Sequence, residues 1–177
     1  MNRLLIVWFI ATIALLALGT TNQPASVVAQ NDVSFGTTTP VYVATNGTVT
    51  STRVIDVSTD HPQMEVSFTE DGTINNVGNV TNTGTYINTV ESSNVTKGIG
   101  RGIITSDETN NKVTWNAYDL GKKVNNTTNF IYNGIIFFDV LSPHDSNNEF
   151  MFLDDRVGLY RDEVNDTGSI KKIWIWD

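Results

Sequence analysis

The sequence predicts an all-β protein, and a single antiparallel β-barrel of about eight strands is the favoured architecture. From residue 41 onward, no segment carries apolar residues at the 3.6-residue period over the length of a helix. Apolar and polar residues alternate instead, and turn-forming clusters interrupt them about every 8–15 residues. A β-sandwich is the alternative, but short connections and the lack of a long crossover favour the barrel.

The first half of the domain contains three extended segments. Val49–Val57 is rich in β-branched residues and predicts a strand. Met64–Phe68 alternates apolar with polar residues and predicts a half-buried strand that ends in a turn at Glu70–Gly72. Ile74–Val90 is extended but weakly apolar, so the sequence defines its register poorly.

The second half contains clearer strands, separated by turns rich in Asn, Asp and Gly. Ile99–Thr105 is expected to pair with Val113–Tyr118 across the turn Ser106–Asn111. Asp166–Ser169 predicts the last hairpin turn. The other predicted strands are Phe130–Leu141, Phe150–Leu153, Val157–Val164 and Ile170–Trp176.

Three glycines alternate along one predicted strand. Gly98, Gly100 and Gly102 leave one of its faces without side chains. Such a stripe weakens a strand unless an aromatic ring, another backbone segment or a ligand lies against it. Trp115 on the neighbouring strand is the expected cover. No phosphate-binding glycine motif is present, so we interpret the stripe as a device that curves the sheet.

The N-terminus has the features of an export signal. Arg3 gives a short positive region, and Leu4–Leu18 is an apolar run of about 15 residues, which is short for a membrane span. We predict a signal peptide or uncleaved anchor at residues 1–29, a flexible lead-in at 30–40 and a β-barrel domain at 41–177. The domain is therefore expected outside the cell or in its envelope, with an uncleaved signal as its only membrane link.

The composition excludes several classes of protein. The chain has 177 residues, 11 basic and 19 acidic side chains, a net charge of −8 and no cysteine. Disulfides, cysteine zinc sites and thiol nucleophiles are therefore excluded, and the charge disfavours a nucleic-acid partner. The abundant Thr and Asn produce six Asn-x-Ser/Thr sequons, each a candidate glycosylation site in an exported chain. They are Asn46, Asn79, Asn94, Asn125, Asn126 and Asn165.

Aromatic residues are concentrated in the second half of the chain. Trp174 and Trp176 lie two residues apart and therefore face the same side of the last strand. One interpretation is that the aromatic side chains line an apolar ligand pocket inside the barrel, and the other is that they form the core. The candidate pocket residues are Trp115, Tyr132, Phe138, Phe152, Trp174 and Trp176.

No catalytic or metal-binding constellation is apparent. His61 and His144 stand in proline-containing turns without partners at a defined spacing. Asp154–Asp155 and Asp162–Glu163 are adjacent carboxylates that would point to opposite faces of a strand, so we interpret both pairs as surface charge. We therefore predict no catalytic residue, no metal site and no cofactor.

Residues 97–177 carry a pattern of glycines and aromatics. The pattern runs from Gly98-Ile99-Gly100 through Ser106-Asp107, Trp115 and Phe152-Leu153 to the closing Trp174-Ile175-Trp176. It resembles that of a group of uncharacterised small secreted proteins of ammonia-oxidising archaea. Barrels of the allene oxide cyclase, dirigent and calycin-like types are distantly similar. The resemblance implies a fold only, and no catalytic residue is carried over because no matching motif is present.

Three hypotheses of function follow from these features. The first is an exported, non-enzymatic β-barrel that binds a small apolar ligand or takes part in surface interactions. The second is a structural or adhesive cell-envelope glycoprotein with a solidly packed barrel. The third is a cyclase-like or isomerase-like enzyme that acts through the shape of an apolar pocket. An interior cavity of about 300 Å³ or more favours ligand binding, whereas a filled interior favours a role for the surface.

Overall fold

The computed structural model describes residues 39–125, 127–141 and 147–176. These ranges hold nine β-strands and one short 3-10 helix, Met151–Leu153. Within them, no helix is long and apolar enough to cross a membrane. The predicted signal at residues 1–29 lies outside the described residues. The strands are β1 (Tyr42–Thr45), β2 (Thr48–Asp56), β3 (Gln63–Ile74), β4 (Gly78–Ser92), β5 (Val95–Ser106), β6 (Lys112–Lys123), β7 (Phe130–Val140), β8 (Val157–Asn165) and β9 (Gly168–Ile175).

Eight of these strands form a closed antiparallel barrel. Each strand from β3 to β8 pairs with the next one along the chain, as expected where connections are short. The short strand β1 closes the barrel, because Ala44 is in register with Gly72 of β3 on one side and with Lys171 of β9 on the other. The predicted barrel is therefore confirmed.

The ninth strand, β2, lies alongside the barrel wall. After Asn46 and Gly47 the chain turns away from β9, and β2 pairs only with β3 among the described strands. Residues 48–55 are exposed on both faces of β2. Because nothing described pairs with its far edge, β2 is an edge strand attached to a closed barrel.

The connection between β7 and β8 contributes to the apolar core. Phe150 and Leu153, in the connection between β7 and β8, are fully buried. They belong to the same core cluster as Trp115, Phe138 and Val113.

Three local predictions are corrected. β3 does not turn at Glu70–Gly72 but continues to Ile74. The reason is that Glu70 is buried inside the barrel and that residues 72–74 of β3 pair with β1. Phe150–Leu153 is not a strand but contains the 3-10 helix, which buries two apolar side chains. The sequence analysis also missed β1, whose four residues are too few to show a periodicity.

Aromatic rings cover two of the three glycines of the stripe. Trp115 lies against Gly102, as predicted, whereas Tyr86 lies against Gly100 and the carboxylate of Asp119 lies against Gly98. A Cβ atom at Gly102 would lie 2.4 Å from Cζ2 of Trp115, and one at Gly84 on β4 would lie 2.5 Å from the same atom. A Cβ at Gly100 would lie 2.4 Å from the ring of Tyr86. The glycines therefore make room for large rings that lie flat against the inner wall.

Candidate functional site

The outer wall of the barrel carries a continuous row of apolar side chains. Its members are in register across six neighbouring strands, β4 to β9, which are spaced about 4.8 Å apart. Ile99 and Tyr118 within the row are 56% and 53% exposed. Outward positions of a barrel in water are usually polar, so the row is unusual. The row consists of Ile87, Ile99, Tyr118, Ile135, Leu159 and Trp174.

On β7 to β9 the row widens into a patch. Phe137 is in register with Val157, and the backbone nitrogen of Trp176 donates to the carbonyl of Val157 at 2.9 Å. Phe137 is 42% exposed and Trp176 is 60% exposed. We call these neighbouring outward residues the outer patch: Ile135, Phe137, Val157, Leu159, Trp174 and Trp176.

Cationic side chains border the apolar row on one side. Arg161 and Lys172 are in register on β8 and β9, two residues from Leu159 and Trp174. Lys97 lies in the same outward row on β5, two residues from Ile99. Arg161 is paired with Glu163 at 2.7 Å, and Lys97 is paired with Glu91 at 3.0 Å, so this border carries charges of both signs.

Inside the barrel, a buried ion pair joins β3 to β9. Nζ of Lys171 lies 3.0 Å and 3.1 Å from the two carboxylate oxygens of Glu70, and 3.6 Å from Oδ2 of Asp162 on β8. The hydroxyl of Tyr42 donates to Glu70 at 2.9 Å, and Nδ2 of Asn82 donates to it at 2.7 Å. The carboxylate of Glu70 therefore has both a counter-ion and a full set of donors.

Two other carboxyl groups nearby are less well satisfied. The hydroxyl of Tyr160 donates to Oδ2 of Asp119 at 2.5 Å and accepts from the hydroxyl of Tyr86 at 3.2 Å. Oδ1 of Asp119, Oδ1 of Asp162 and the hydroxyl of Thr96 are buried without a hydrogen-bond partner among the described residues. Such atoms are costly, because each loses its hydrogen bonds to water without gaining others. We call this set the polar cluster: Glu70, Tyr86, Thr96, Asp119, Tyr160, Asp162 and Lys171.

Burial changes the protonation of the polar cluster. It raises the pKa of Asp162 to about 6, against the opposing charge of Lys171. Burial also raises the pKa of Asp119, although the hydrogen bond from Tyr160 lowers it. Burial alone would lower the pKa of Lys171, but the carboxylates of Glu70 and Asp162 raise it above its usual value. The ammonium therefore stays charged, and the carboxyl groups outnumber it by three to one.

The structure separates the six predicted pocket residues. Trp115 and Phe138 are core residues, 2% and 3% exposed. Tyr132 is half-buried inside the barrel, with its ring against Gly121. The other three are at least partly exposed on the outside, and they are Phe152, Trp174 and Trp176. The six residues therefore do not line one cavity.

The sequence analysis did not find the polar cluster. It assigned Glu70 to a turn and Asp162 to the surface, whereas Glu70 is buried and Oδ1 of Asp162 is inaccessible. Alternation could have found Lys171, since it shares the face of β9 that carries the buried Ile173. The side chains of Asp162 and Glu163 point to opposite faces of β8, as predicted. The sequence did not indicate that Asp162 is the one that points into the barrel.

Two depressions lie on the outside of the barrel. One of about 560 Å³ is lined by outward residues of β3 to β6, such as Thr85 and Arg101. The other, of about 370 Å³, lies between the β4–β5 and β6–β7 turns and is lined by Asn94 and Asn125. The first also touches Gly84, Gly102 and Trp115, and no residue of the polar cluster lines either depression.

Most of the candidate glycosylation sites are on the surface. Asn46, Asn79, Asn94 and Asn125 are exposed. Asn165 is half-buried, and its side chain accepts hydrogen bonds from the backbone and hydroxyl of Thr167 at 2.8 Å and 2.7 Å. Asn126 lies outside the described residues.

His61, the histidine within the described residues, shows no metal-binding geometry. His61 is exposed in the β2–β3 connection, with Nδ1 at 3.2 Å from the carbonyl of Val90. His144 lies outside the described residues. In the part of the chain that the structure describes, no three His, Asp or Glu residues are grouped so that they could hold a metal ion.

Fold and surface together define a closed antiparallel β-barrel with a polar cluster inside and an apolar patch outside. No protein-family model matches the chain, and no curated protein does. The structure is similar to the crystal structure of a protein with unknown function from Clostridium acetobutylicum ATCC 824. The TM-score is 0.63 and the sequence identity 12%, over 78% of this chain and 97% of that one. At this identity the likeness shows the fold alone.

Proposed function

We propose that the protein is an exported, non-enzymatic β-barrel that docks onto a partner protein through the outer patch. The observation that carries this proposal is the set of six neighbouring apolar residues, two of them Trp, on the outside of β7 to β9. Exposed apolar patches with a polar rim are typical of interaction sites. Exposed Trp and Phe side chains commonly supply most of the binding energy at such sites.

The border of the patch favours a partner of particular chemistry. Arg161 and Lys97 are already paired with Glu163 and Glu91. Lys172, in register with Arg161, would meet a carboxylate on a partner favourably. We therefore infer a partner protein whose surface is apolar and places a carboxylate opposite Lys172.

The outside location belongs to the same proposal. Arg3 and the apolar run that follows it support export. The exposed sequons at Asn46, Asn79, Asn94 and Asn125 lie on or beside β1 to β6. Glycans at these positions would leave the outer patch accessible, as a structural or adhesive envelope protein requires. Binding of an apolar ligand in the interior has less support, because Trp115 and Phe138 occupy the core.

The first test is cross-linking of the full chain to its partners in the envelope of its own host. The variant Phe137→Ser with Trp176→Ser removes two exposed rings that are not needed for the core. We expect it to lose the partner at least tenfold, because these rings supply buried apolar area at the contact. We also expect wild-type binding to weaken as ionic strength rises, because the border is charged.

A matched control is available on the neighbouring strand. Asn116 is exposed and in register with Phe137, so Asn116→Ser changes the same wall without touching the outer patch. It should keep full binding. Equal capture of the partner by the double variant would refute the proposal, as would association of the chain with anionic lipid vesicles alone.

A further inference from the structure

We propose that the larger depression on the outside of the barrel binds a short acidic oligosaccharide, with Arg101 as the partner of a sugar carboxylate. The depression has a volume of about 560 Å³, and outward residues of β3 to β6 line it. This volume lies within the range of about 300–1,000 Å³ that small-ligand sites have. The site is separate from the outer patch on β7 to β9 and is independent of the docking function.

A row of polar side chains crosses the depression from one strand to the next. It spans four strands, or three spacings of about 4.8 Å, so it is about 14 Å long. The row consists of Ser67, Thr85, Arg101 and Asn116, each in register with the next. A second outward row lies beside it and consists of Thr83, Ile103 and Thr114. The depression is therefore elongated, and a chain of sugar rings would fill it better than a single ring.

Arg101 supplies an unpaired cation in the middle of the first row. It is exposed, and no carboxylate of the described residues forms an ion pair with its guanidinium. Arg53, by contrast, is paired with Glu65 at 3.0 Å. Among the residues that the structure describes, no Asp or Glu lines the depression, although the chain has a net charge of −8. A planar guanidinium binds a carboxylate through two parallel hydrogen bonds, so a carboxylate is the ligand group that suits Arg101.

The other side chains of the two rows suit the hydroxyl groups of a sugar. Four of them are Ser or Thr, and Asn116 adds an exposed amide. The hydroxyls of Ser67 and Thr85 lie 3.0 Å apart, and the hydroxyl of Thr114 donates to a backbone carbonyl of β7 at 2.9 Å. Each of these oxygens keeps a lone pair that can accept a further hydrogen bond. Because sugar hydroxyls also donate and accept, hydrogen bonds between the two surfaces can form in either direction.

The closed wall favours a saccharide over a peptide. A peptide that adds to a sheet binds the backbone groups of a free edge. Each strand from β3 to β6 is instead paired on both sides, so the depression offers side chains only. Tyr118 lies on the same outward face of β6, two residues from Asn116, and is 53% exposed. The negative face of its ring attracts the C–H groups of a sugar, so Tyr118 provides a stacking surface beside the depression.

The experiment is an NMR titration of the full chain with trigalacturonic acid at pH 7 and constant ionic strength. We expect saturable binding with a dissociation constant in about the millimolar range, because an open site buries little of the ligand. The shifted signals should belong to the lining residues on β3 to β6. The neutral methyl ester has the same sugar chain without the carboxylates, and it should bind at least tenfold more weakly.

Two arginine variants test the carboxylate partner. Arg101→Gln should weaken trigalacturonate binding at least tenfold, because it removes the charged group and leaves the hydroxyl rows in place. Arg53→Gln is the matched control, since Arg53 is 69% exposed on β2 and does not line the depression. It should bind trigalacturonate like the wild type. Both arginines lie outside the core, so both variants are expected to fold.

Equal affinity for the acid and its neutral ester, or no binding of either, would overturn the proposal. So would equal binding of triglutamate, which is an acidic peptide, or an unchanged affinity in Arg101→Gln. These results would leave the docking function intact, because Phe137→Ser with Trp176→Ser tests that function and should not alter trigalacturonate binding. Asn116→Ser separates the two sites in the other direction, since it should weaken trigalacturonate binding severalfold and keep the partner of the outer patch.

Discussion

At the scale of single residues, the interior of this barrel is unusual because it contains ionisable groups that the fold only partly compensates. Asp162 is the clearest case, since it faces Lys171, Glu70 and Asp119 from three other strands. Its pKa is about 6 in the folded chain, compared with 3.8 for an unperturbed Asp. The folded state therefore binds a proton at this site more tightly than the unfolded state does between these two pH values.

The pH dependence of stability follows from this difference. As the pH falls from 7 towards 4, protonation of Asp162 should raise the free energy of unfolding, because the ionised form is the one that burial disfavours. Asp162→Asn should be more stable than the wild type at pH 7 and should gain less on acidification. Urea unfolding of both chains at pH 7 and pH 5 measures the difference. An identical pH dependence of the two chains would contradict this assignment.

Gly102 gives a second prediction at the residue scale. A Cβ atom there would lie 2.4 Å from the Trp115 ring and 2.5 Å from the backbone carbonyl of Thr83. We expect Gly102→Ala to cost about 1–3 kcal/mol of unfolding free energy, because neither neighbour can move cheaply. Gly47→Ala is the control, since its Cβ would meet nothing closer than 3.4 Å. Thermal unfolding of the two variants compares them directly.

At the scale of elements, the sequence predicted the strands that bury one face. It did not predict the structure at positions where pairing between distant segments of the chain determines it. The alternation in Met64–Phe68 was sufficient for the start of β3, and the two strands around Ser106–Asn111 were placed correctly. Glu70–Gly72 has the composition of a turn, and its partner Tyr42 is remote in sequence. Local rules could not foresee that pairing.

The last strand shows a different limit of sequence reasoning. Trp174 and Trp176 do face the same side, but Ile173 and Ile175 on the other side are apolar too. When both faces of a strand are apolar, alternation cannot tell which one points inward. The outer patch places apolar side chains on the outside of the barrel, and the polar cluster places charged side chains inside it. Both arrangements are rare for these residue types, so the sequence pattern did not reveal either one.

β2 provides a prediction at the element scale. Arg53 lies in the middle of this edge strand, 69% exposed and 3.0 Å from Glu65. An exposed ion pair contributes little to stability, but a charge on an edge strand opposes pairing with other chains. Arg53→Val should therefore keep its unfolding midpoint and show increased light scattering on concentration. Lys97→Val, a similar paired cation on β5 inside the sheet, should not aggregate more than the wild type.

At the scale of the whole molecule, β8 and β9 carry part of the outer patch on one face and part of the polar cluster on the other. Leu159 and Trp174 face outward next to the inward Tyr160 and Ile173. A rigid barrel wall keeps the two surfaces separate, because neighbouring side chains of a strand point to opposite sides. The outer patch and the polar cluster therefore share no residue, although they lie on opposite faces of the same strands.

The closure by β1 has a consequence for the order of folding. The residues that complete the barrel, Tyr42–Thr45, pair with Ile170–Ile173 at the far end of the chain. The intervening hairpins are local and can form early, but this seam joins segments of very high sequence separation, which is slow. The barrel therefore cannot close until almost the whole chain has been synthesised. Until then, Tyr42 and Ala44 have no β9 edge against which to pair.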